Sequence, residues 1–92
     1  MRIAVVGTGY VGLVSGACFS EMGVEVICID RDTAKIGRLL RGEIPIYEPG
    51  LEDIVQKNVQ AGRLRFDTRL DTHLDEVEMV FIAVGTPPGA DG

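Results

Sequence analysis

The stretch Ile3-Ala4-Val5-Val6-Gly7-Thr8-Gly9-Tyr10-Val11-Gly12 decides the fold of this 92-residue chain. In this stretch a β-branched apolar run is followed by the pattern Gly-x-Gly-x-x-Gly. The pattern alone is weak evidence of a nucleotide-binding turn, and the elements on either side strengthen it. The apolar residues that follow share one stripe at helical spacing: Val11, Val14, Cys18 and Met22, with Leu13 and Ala17 beside them. The pattern predicts a strand, a tight glycine turn and a helix that buries this stripe.

Each glycine of the turn has a physical role. Gly7 allows a sharp turn off the strand, Gly9 removes a side chain where a diphosphate approaches the backbone, and Gly12 lets the helix pack close to the strand. The unpaired amides at the start of the helix, together with the helix dipole, favour an anion. We therefore predict that the turn, including Tyr10, binds the diphosphate of a dinucleotide. A plain strand-to-helix turn is the alternative.

A second strand at residues 24–29 ends on Asp30, 21 residues after Gly9. An acid at this place accepts hydrogen bonds from the adenosine ribose of a dinucleotide. A 2′-phosphate there would meet like charge, at a cost of about 4 kcal/mol for unit charges 4 Å apart and an effective dielectric of 20. Asp30 therefore predicts NAD over NADP, although Arg31 could accommodate a 2′-phosphate or lie against the adenine. Asp30 could alternatively be a surface acid or a helix cap, but Asp32 can fill the cap role.

The rest of the chain alternates helix and strand signals. A second helix begins after Asp32 and ends at Gly42, and a third begins at Gly50, after a connection with two prolines, and ends at Gly62. Residues 63–66 form a short third strand, a short helix follows, and the apolar run at residues 79–84 is typical of a central parallel strand buried on both faces. The predicted inward residues are Ile36, Leu39 and Leu40 in the second helix, Leu51, Ile54, Val55 and Val59 in the third, and Leu70, Leu74 and Val77 in the short one.

This order of elements predicts an α/β fold, a partial Rossmann-type doubly wound parallel sheet with strand order 3-2-1-4 and flanking helices. The ligand crevice is expected at the carboxyl ends of strands one and four. Thr86, in the glycine- and proline-rich turn after strand four, is expected to face the cofactor there. A fourth strand this apolar needs a neighbouring strand, so we expect the chain to be part of a longer protein.

Composition indicates one domain of a globular protein, 46% hydrophobic and 25% charged, with a net charge of −5 that speaks against nucleic acid. No apolar run reaches the roughly 20 residues of a membrane span, and Met1 leads straight into a strand without a secretory signal, so cytoplasm is the expected location. Cys18 and Cys28 are expected in the core. His73 is expected to be a solvated helix residue, and no metal site is predicted.

Several segments together identify a family resemblance: residues 1–14, Ile29-Asp30, Lys35-Ile36, Gly42 with Pro45-Ile46-Tyr47-Glu48-Pro49-Gly50-Leu51, and Val84-Gly85-Thr86-Pro87. They resemble the amino-terminal part of the UDP-glucose 6-dehydrogenases, and the wider group of nucleotide-sugar dehydrogenases, including those for GDP-mannose and UDP-N-acetylmannosamine, is similar. The resemblance covers essentially the whole chain. It implies that Val11, Asp30, Lys35 and Thr86 contact NAD, whereas position alone would make Lys35 an ordinary exposed lysine.

The resemblance also implies a two-step oxidation of the C6 alcohol of a UDP-sugar to a carboxylate, with two NAD+ and a cysteine nucleophile. Neither Cys18 nor Cys28 matches the motif of that nucleophile. The catalytic residues and the sugar-nucleotide pocket are therefore expected outside this chain, and residues 1–92 are expected to be the amino-terminal part of a NAD-binding Rossmann domain that is inactive alone. Kinship also implies a homo-oligomer at full length.

Two other functions stay open at this stage. One is a different dehydrogenase, acting on GDP-mannose, on UDP-N-acetylmannosamine or on a 3-hydroxyacyl-CoA. The other is a nucleotide-binding module without chemistry of its own. An open reading frame that continues for several hundred residues would favour an enzyme, and a stop codon near Gly92 would favour the module.

Overall fold

The computed structural model describes residues 1–83, which build a four-stranded parallel sheet in the order β3-β2-β1-β4. The strands are β1 (Arg2–Val6), β2 (Glu25–Ile29), β3 (Leu64–Asp67) and β4 (Met79–Ile82). The helices are α1 (Tyr10–Glu21), α2 (Thr33–Leu40) and α3 (Leu51–Gln60). The predicted fold class and strand order are therefore confirmed.

The alternation of side chains along the strands divides the core into two layers. On one face, odd-numbered residues of β1 and even-numbered residues of β2 and β3 pack against all three helices: Ile3, Val5, Val26, Cys28, Leu64 and Phe66. On the other face a smaller cluster gathers around Ala4, Ile27 and Ile29, with Leu70 and Val77 from the β3–β4 connection. Because β1 and β2 are adjacent and parallel, their carboxyl ends lie side by side, next to the start of α1.

Helix α1 turns a different side inward from the one expected. Val11 and Met22 are 59% and 74% exposed, and Cys18 is also exposed, so the predicted burial of these three residues is wrong. Leu13 and Ala17 are buried and Val14 packs partly against the core, as predicted. The buried residues of α1 are Gly12, Leu13, Gly16, Ala17 and Ser20. Small residues on this side bring the helix close to the sheet, where van der Waals contact replaces a layer of large side chains.

Gly16 shows how close α1 approaches β2. A Cβ atom on Gly16 would lie 2.6 Å from Cys28 Sγ, so no larger residue fits unless the buried Cys28 side chain shifts. Cys28 is fully buried, as predicted, and burial raises the pKa of its thiol to about 12. Cys28 is therefore an uncharged packing residue.

Helix α2 begins as predicted, because Asp32 accepts hydrogen bonds from the amides of Ala34 and Lys35 at 3.0 and 3.1 Å. Ile36 and Leu39 are buried, whereas Leu40 is exposed, contrary to prediction.

Helix α3 buries Leu51 and Val55 and half-buries Ile54, as predicted, whereas Val59 is exposed, contrary to prediction, and Asn58 takes the inward position. The Asn58 amide donates to Glu21 of α1 at 3.0 Å and to the Ile54 carbonyl at 2.8 Å, and its oxygen accepts from Arg63 at 2.8 Å. This fully satisfied polar contact ties α1, α3 and the start of β3 together.

The β3–β4 connection contains one 3₁₀ turn, Asp71–His73, in place of the predicted short helix. Leu70 and Val77 pack on the smaller core cluster as predicted, but Leu74 is exposed.

His73 is not the solvated residue that the sequence suggested, since its side chain is only 13% exposed. Its Nε2 lies 2.6 Å from a carboxylate oxygen of Asp67, and its Nδ1 lies 3.2 Å from one of Glu76, which also pairs with Arg65. The hydrogen bond to Asp67, joined by the Glu76 contact and the two negative charges, outweighs partial burial and raises the pKa of His73.

Strand β4 occupies one edge of the sheet within residues 1–83. All four of its residues are exposed, so the expected coverage of both faces is not present in this part of the chain. Its Phe81 ring meets Phe19 of α1 edge-to-face at 5.8 Å between centroids.

Candidate functional site

The site begins where the chain leaves β1 and enters α1. Gly7 has a φ of 106°, a conformation that favours glycine, and its amide donates to the Ile29 carbonyl at 2.7 Å. The first intrahelical bond runs from the Leu13 amide to the Gly9 carbonyl at 2.9 Å. The amides of Tyr10, Val11 and Gly12 come before this bond and have no acceptor within the helix.

Two further glycines shape the space around these amides. A Cβ atom on Gly9 would meet no atom within 4 Å, so Gly9 faces open space. A Cβ atom on Gly12 would lie 1.8 Å from the Gly7 carbonyl oxygen, so Gly12 is where the helix backbone touches the turn. Gly9 also carries no side chain that could cap the helix, and the first turn of α1 contains no acid. The helix start is therefore open to an anionic ligand.

Asp30 stands at the end of β2, beside this turn. Its amide donates to the Asp67 carbonyl at 3.1 Å, which continues the β2–β3 ladder and fixes the backbone. One carboxylate oxygen, Oδ2, accepts from the Thr8 hydroxyl at 2.7 Å and from the Thr8 amide at 3.0 Å. The other, Oδ1, accepts from the Asp32 amide at 2.9 Å.

These contacts keep the Asp30 carboxylate charged. Partial burial raises its pKa, but the donors from Asp32 and Thr8 and the nearby positive charge of Lys35 outweigh that effect, and the pKa lies below its usual value. An ionised carboxylate only accepts hydrogen bonds, which suits a pair of ribose hydroxyls.

The other predicted contact residues lie around the same corner. Tyr10 and Val11 begin α1 with exposed side chains, and Lys35 is exposed in the first turn of α2. Tyr10 also donates its hydroxyl to the Glu48 carboxylate at 3.1 Å, which raises the pKa of Tyr10. Thr86 lies outside the described residues.

An open depression of about 180 Å³ occupies the corner between the strand ends. It is lined by Val6, Gly7, Ile29, Asp30 and Arg31. The open helix start and the charged acceptor beside the depression fit the adenosine half of a dinucleotide in their chemistry, because free amides suit a diphosphate and an ionised carboxylate suits ribose hydroxyls. When bound, a nicotinamide dinucleotide supplies hydride acceptance, and this part of the chain supplies binding groups.

Sequence reasoning missed two residues of this corner, Thr8 and Glu48. Thr8 lies between the first two glycines of the pattern, and its hydroxyl group was the one sequence feature that could have indicated a polar contact there. Glu48 is 38 residues from Tyr10 in sequence, and nothing local predicts their contact.

Within residues 1–83, no group of three or more His, Cys, Asp or Glu side chains could hold a metal ion. In the same range, no helix has both the length and the apolar character to cross a membrane.

The parallel sheet, the glycine turn and the acid at the end of β2 define a dinucleotide-binding domain of the Rossmann type. The model of the UDP-glucose/GDP-mannose dehydrogenase family, NAD binding domain, matches residues 1–92. The chain belongs to this family, and the match is to the family's NAD-binding domain. The predicted family and the predicted cofactor, NAD, are thereby confirmed.

Known relatives agree in sequence and in structure. The chain is 56% identical over 92 residues to UDP-glucose 6-dehydrogenase of Pseudomonas aeruginosa, which covers 100% of this chain and 20% of the relative. GDP-mannose dehydrogenase of the same organism, solved as a ternary complex, is 42% identical, with a TM-score of 0.92 over 100% of this chain and 21% of its own. A UDP-glucose dehydrogenase from Pyrobaculum islandicum is 38% identical, with a TM-score of 0.88 over 98% of this chain and 21% of its own. The chain thus spans about one fifth of the length of these relatives.

Proposed function

We propose that this chain is the amino-terminal part of the NAD-binding domain of a UDP-glucose 6-dehydrogenase, which oxidises UDP-glucose to UDP-glucuronate with two NAD+. The 56% identity to the enzyme of Pseudomonas aeruginosa supports UDP-glucose as the substrate. One structural observation carries the cofactor half of the proposal: the charged Asp30 carboxylate is fixed beside the open amides of α1.

Each group in the corner has a defined part in binding. The amides of Tyr10, Val11 and Gly12 would hold the diphosphate, because the first turn of a helix is a favourable place for negative charge. Asp30 would accept the hydroxyls of the adenosine ribose. Lys35 would balance the charge of the bound dinucleotide from the start of α2, and Thr86 is proposed to close the crevice from the other side.

The chain would bind and orient the cofactor, and the remainder of the enzyme would hold the UDP-sugar and supply every catalytic residue. Residues 1–92 are accordingly proposed as the amino-terminal part of a larger domain. A cytoplasmic location and a homo-oligomeric state of the full-length enzyme belong to the same proposal. Cell fractionation tests the location, and light scattering tests the oligomeric state.

The cofactor site is tested by changing Asp30→Ala in the full-length enzyme and titrating NAD+ by calorimetry. Loss of hydrogen bonds to a charged acceptor should weaken NAD+ binding by about 1.5–3 kcal/mol, which is roughly 10- to 150-fold. Asp75→Ala removes an exposed acid from the β3–β4 connection and serves as the matched control. Equal affinities of the wild type and Asp30→Ala would show that the ribose acceptor is another residue.

The substrate is tested by supplying NAD+ with UDP-glucose, GDP-mannose or UDP-N-acetylmannosamine and following NADH. Production of two NADH for each UDP-glucuronate from UDP-glucose supports the proposal. Turnover with only one of the other sugar nucleotides would assign that substrate instead. Tight NAD+ binding without turnover of any substrate would identify a nucleotide-binding module.

A further inference from the structure

We propose that Thr8 is a positioning residue for the ribose acceptor Asp30, and that its hydroxyl sets how strongly the domain holds the adenosine ribose. The inference rests on the proposed function, because it adds a residue to the same cofactor site. Thr8 belongs to the glycine turn and Asp30 to the end of β2, so the contact joins the two halves of the site.

The geometry of this contact is specific. Thr8 is only 2% exposed, and both of its donors reach the same oxygen of Asp30, with the hydroxyl at 2.7 Å and the amide at 3.0 Å. A buried hydroxyl needs a hydrogen-bond partner, and a charged acceptor makes that bond stronger than a neutral one would. The Thr8 side chain is therefore committed to Asp30.

The Asp30 carboxylate has a limited number of acceptor positions, and its contacts within the protein determine how many remain for a ligand. A carboxylate has about four acceptor positions, two on each oxygen. Thr8 fills both positions on Oδ2, and the Asp32 amide fills one on Oδ1. Among the contacts of residues 1–83, one position on Oδ1 stays open for a ribose hydroxyl. A second ribose hydroxyl must share an oxygen with Thr8, so the ribose meets a carboxylate whose orientation is already set.

Fixing the carboxylate in advance strengthens binding, because the side chain loses little further freedom when the ligand arrives. Threonine suits this role, since its branched Cβ restricts rotation of the hydroxyl. Valine has nearly the same shape without the donor, and serine keeps the donor in a smaller side chain. Comparison of threonine, valine and serine at position 8 therefore separates the effect of the hydroxyl hydrogen bond from the effect of side-chain packing.

The test measures binding of ADP and of 2′,3′-dideoxy-ADP, which lacks the ribose hydroxyls, to the full-length protein. Thr8→Val should weaken ADP about tenfold and leave dideoxy-ADP within about twofold, because only ADP uses the oriented acceptor. Thr8→Ser should recover most of the ADP affinity. In an Asp30→Ala background, Thr8→Val should have little further effect. The matched control is Thr72→Val, which removes an exposed hydroxyl in the β3–β4 connection.

Two results would overturn the inference. Equal loss of ADP and dideoxy-ADP binding in Thr8→Val, without recovery in Thr8→Ser, would show that Thr8 only supports the fold. Unchanged ADP binding in Thr8→Val would show that the hydroxyl does not orient the acceptor. Failure of the proposed function looks different, because Asp30→Ala itself would then leave ADP binding unchanged.

Discussion

Replacement of Gly12 by alanine should destabilise the glycine turn, although alanine is the better helix former. The new Cβ atom would lie 1.8 Å from the Gly7 carbonyl oxygen, and a main-chain atom cannot move aside as a side chain can. Such overpacking costs about 1–3 kcal/mol, and the short distance places Gly12→Ala at the upper end. Alanine returns up to about 1 kcal/mol of helix propensity. The expected net loss is about 2 kcal/mol in the free energy of opening the β1–α1 unit.

The chain offers a matched control for the propensity effect. Gly37 is also inside a helix, and a Cβ atom there would meet only the far end of Arg41 at 3.6 Å. Gly37→Ala should therefore gain stability, by up to about 1 kcal/mol. The same glycine-to-alanine change is therefore expected to lower stability at position 12 and to raise it at position 37.

Amide hydrogen exchange in the full-length protein without NAD+ measures both effects locally. Peptides from α1 should exchange roughly thirtyfold faster in Gly12→Ala, which corresponds to about 2 kcal/mol. Peptides from α2 should exchange more slowly in Gly37→Ala. Wild-type protection of α1 in Gly12→Ala would refute the argument that contact between helix and turn requires glycine.

Two further predictions concern charge. NADP+ should bind the wild type more weakly than NAD+, because its 2′-phosphate meets the Asp30 carboxylate, and equal dissociation constants would mean that Arg31 offsets the repulsion. The pKa of His73 is raised in the folded state, so its contact with Asp67 and Glu76 should contribute fully below a pH of about 6.5 and be lost as pH rises through the folded pKa. Urea denaturation across this range should show the wild type losing stability relative to His73→Gln, and parallel curves would contradict the assignment.

The sheet could be predicted from sequence because its signals are local. The apolar run before Gly7, the run before Asp30 and the glycine turn each identify an element without reference to distant residues. The strand order then follows from the doubly wound arrangement with right-handed crossovers. The position of Asp30 beside the glycine turn could be predicted for the same reason, since the end of β2 is a fixed place in this fold.

The inward side of α1 could not be predicted by counting apolar residues. Val11, Cys18 and Met22 lie at helical spacing, yet apolar residues surround the whole helix and leave no polar side to define the opposite one. The useful signal was the pair Gly12 and Gly16, four residues apart, because small residues on one side allow a helix to approach the sheet closely.

Polar contacts between distant segments were also beyond the sequence. Asn58 is polar and fully buried, and its partners outside α3 are the carboxylate of Glu21 and the guanidinium of Arg63. His73 contacts Asp67 and Glu76, six and three residues away, but the irregular path of the β3–β4 connection brings them together and helical periodicity does not predict it. Glu21 and Asn58 are 37 residues apart and become neighbours only when α1 and α3 pack together.

The segment from Glu48 to Leu51 shows how a sequence motif acts across the fold. Gly50 has a φ of 83°, and this turn lets the Leu51 amide donate to the Glu48 carbonyl at 3.0 Å while the Leu51 side chain enters the core. With its backbone fixed in this way, Glu48 accepts the hydrogen bond from Tyr10, the first residue of α1. The inserted connection between α2 and α3 is therefore tied to the start of α1, whose amides we propose as the diphosphate site, so its sequence is constrained by its contact with α1 as well as by the start of α3.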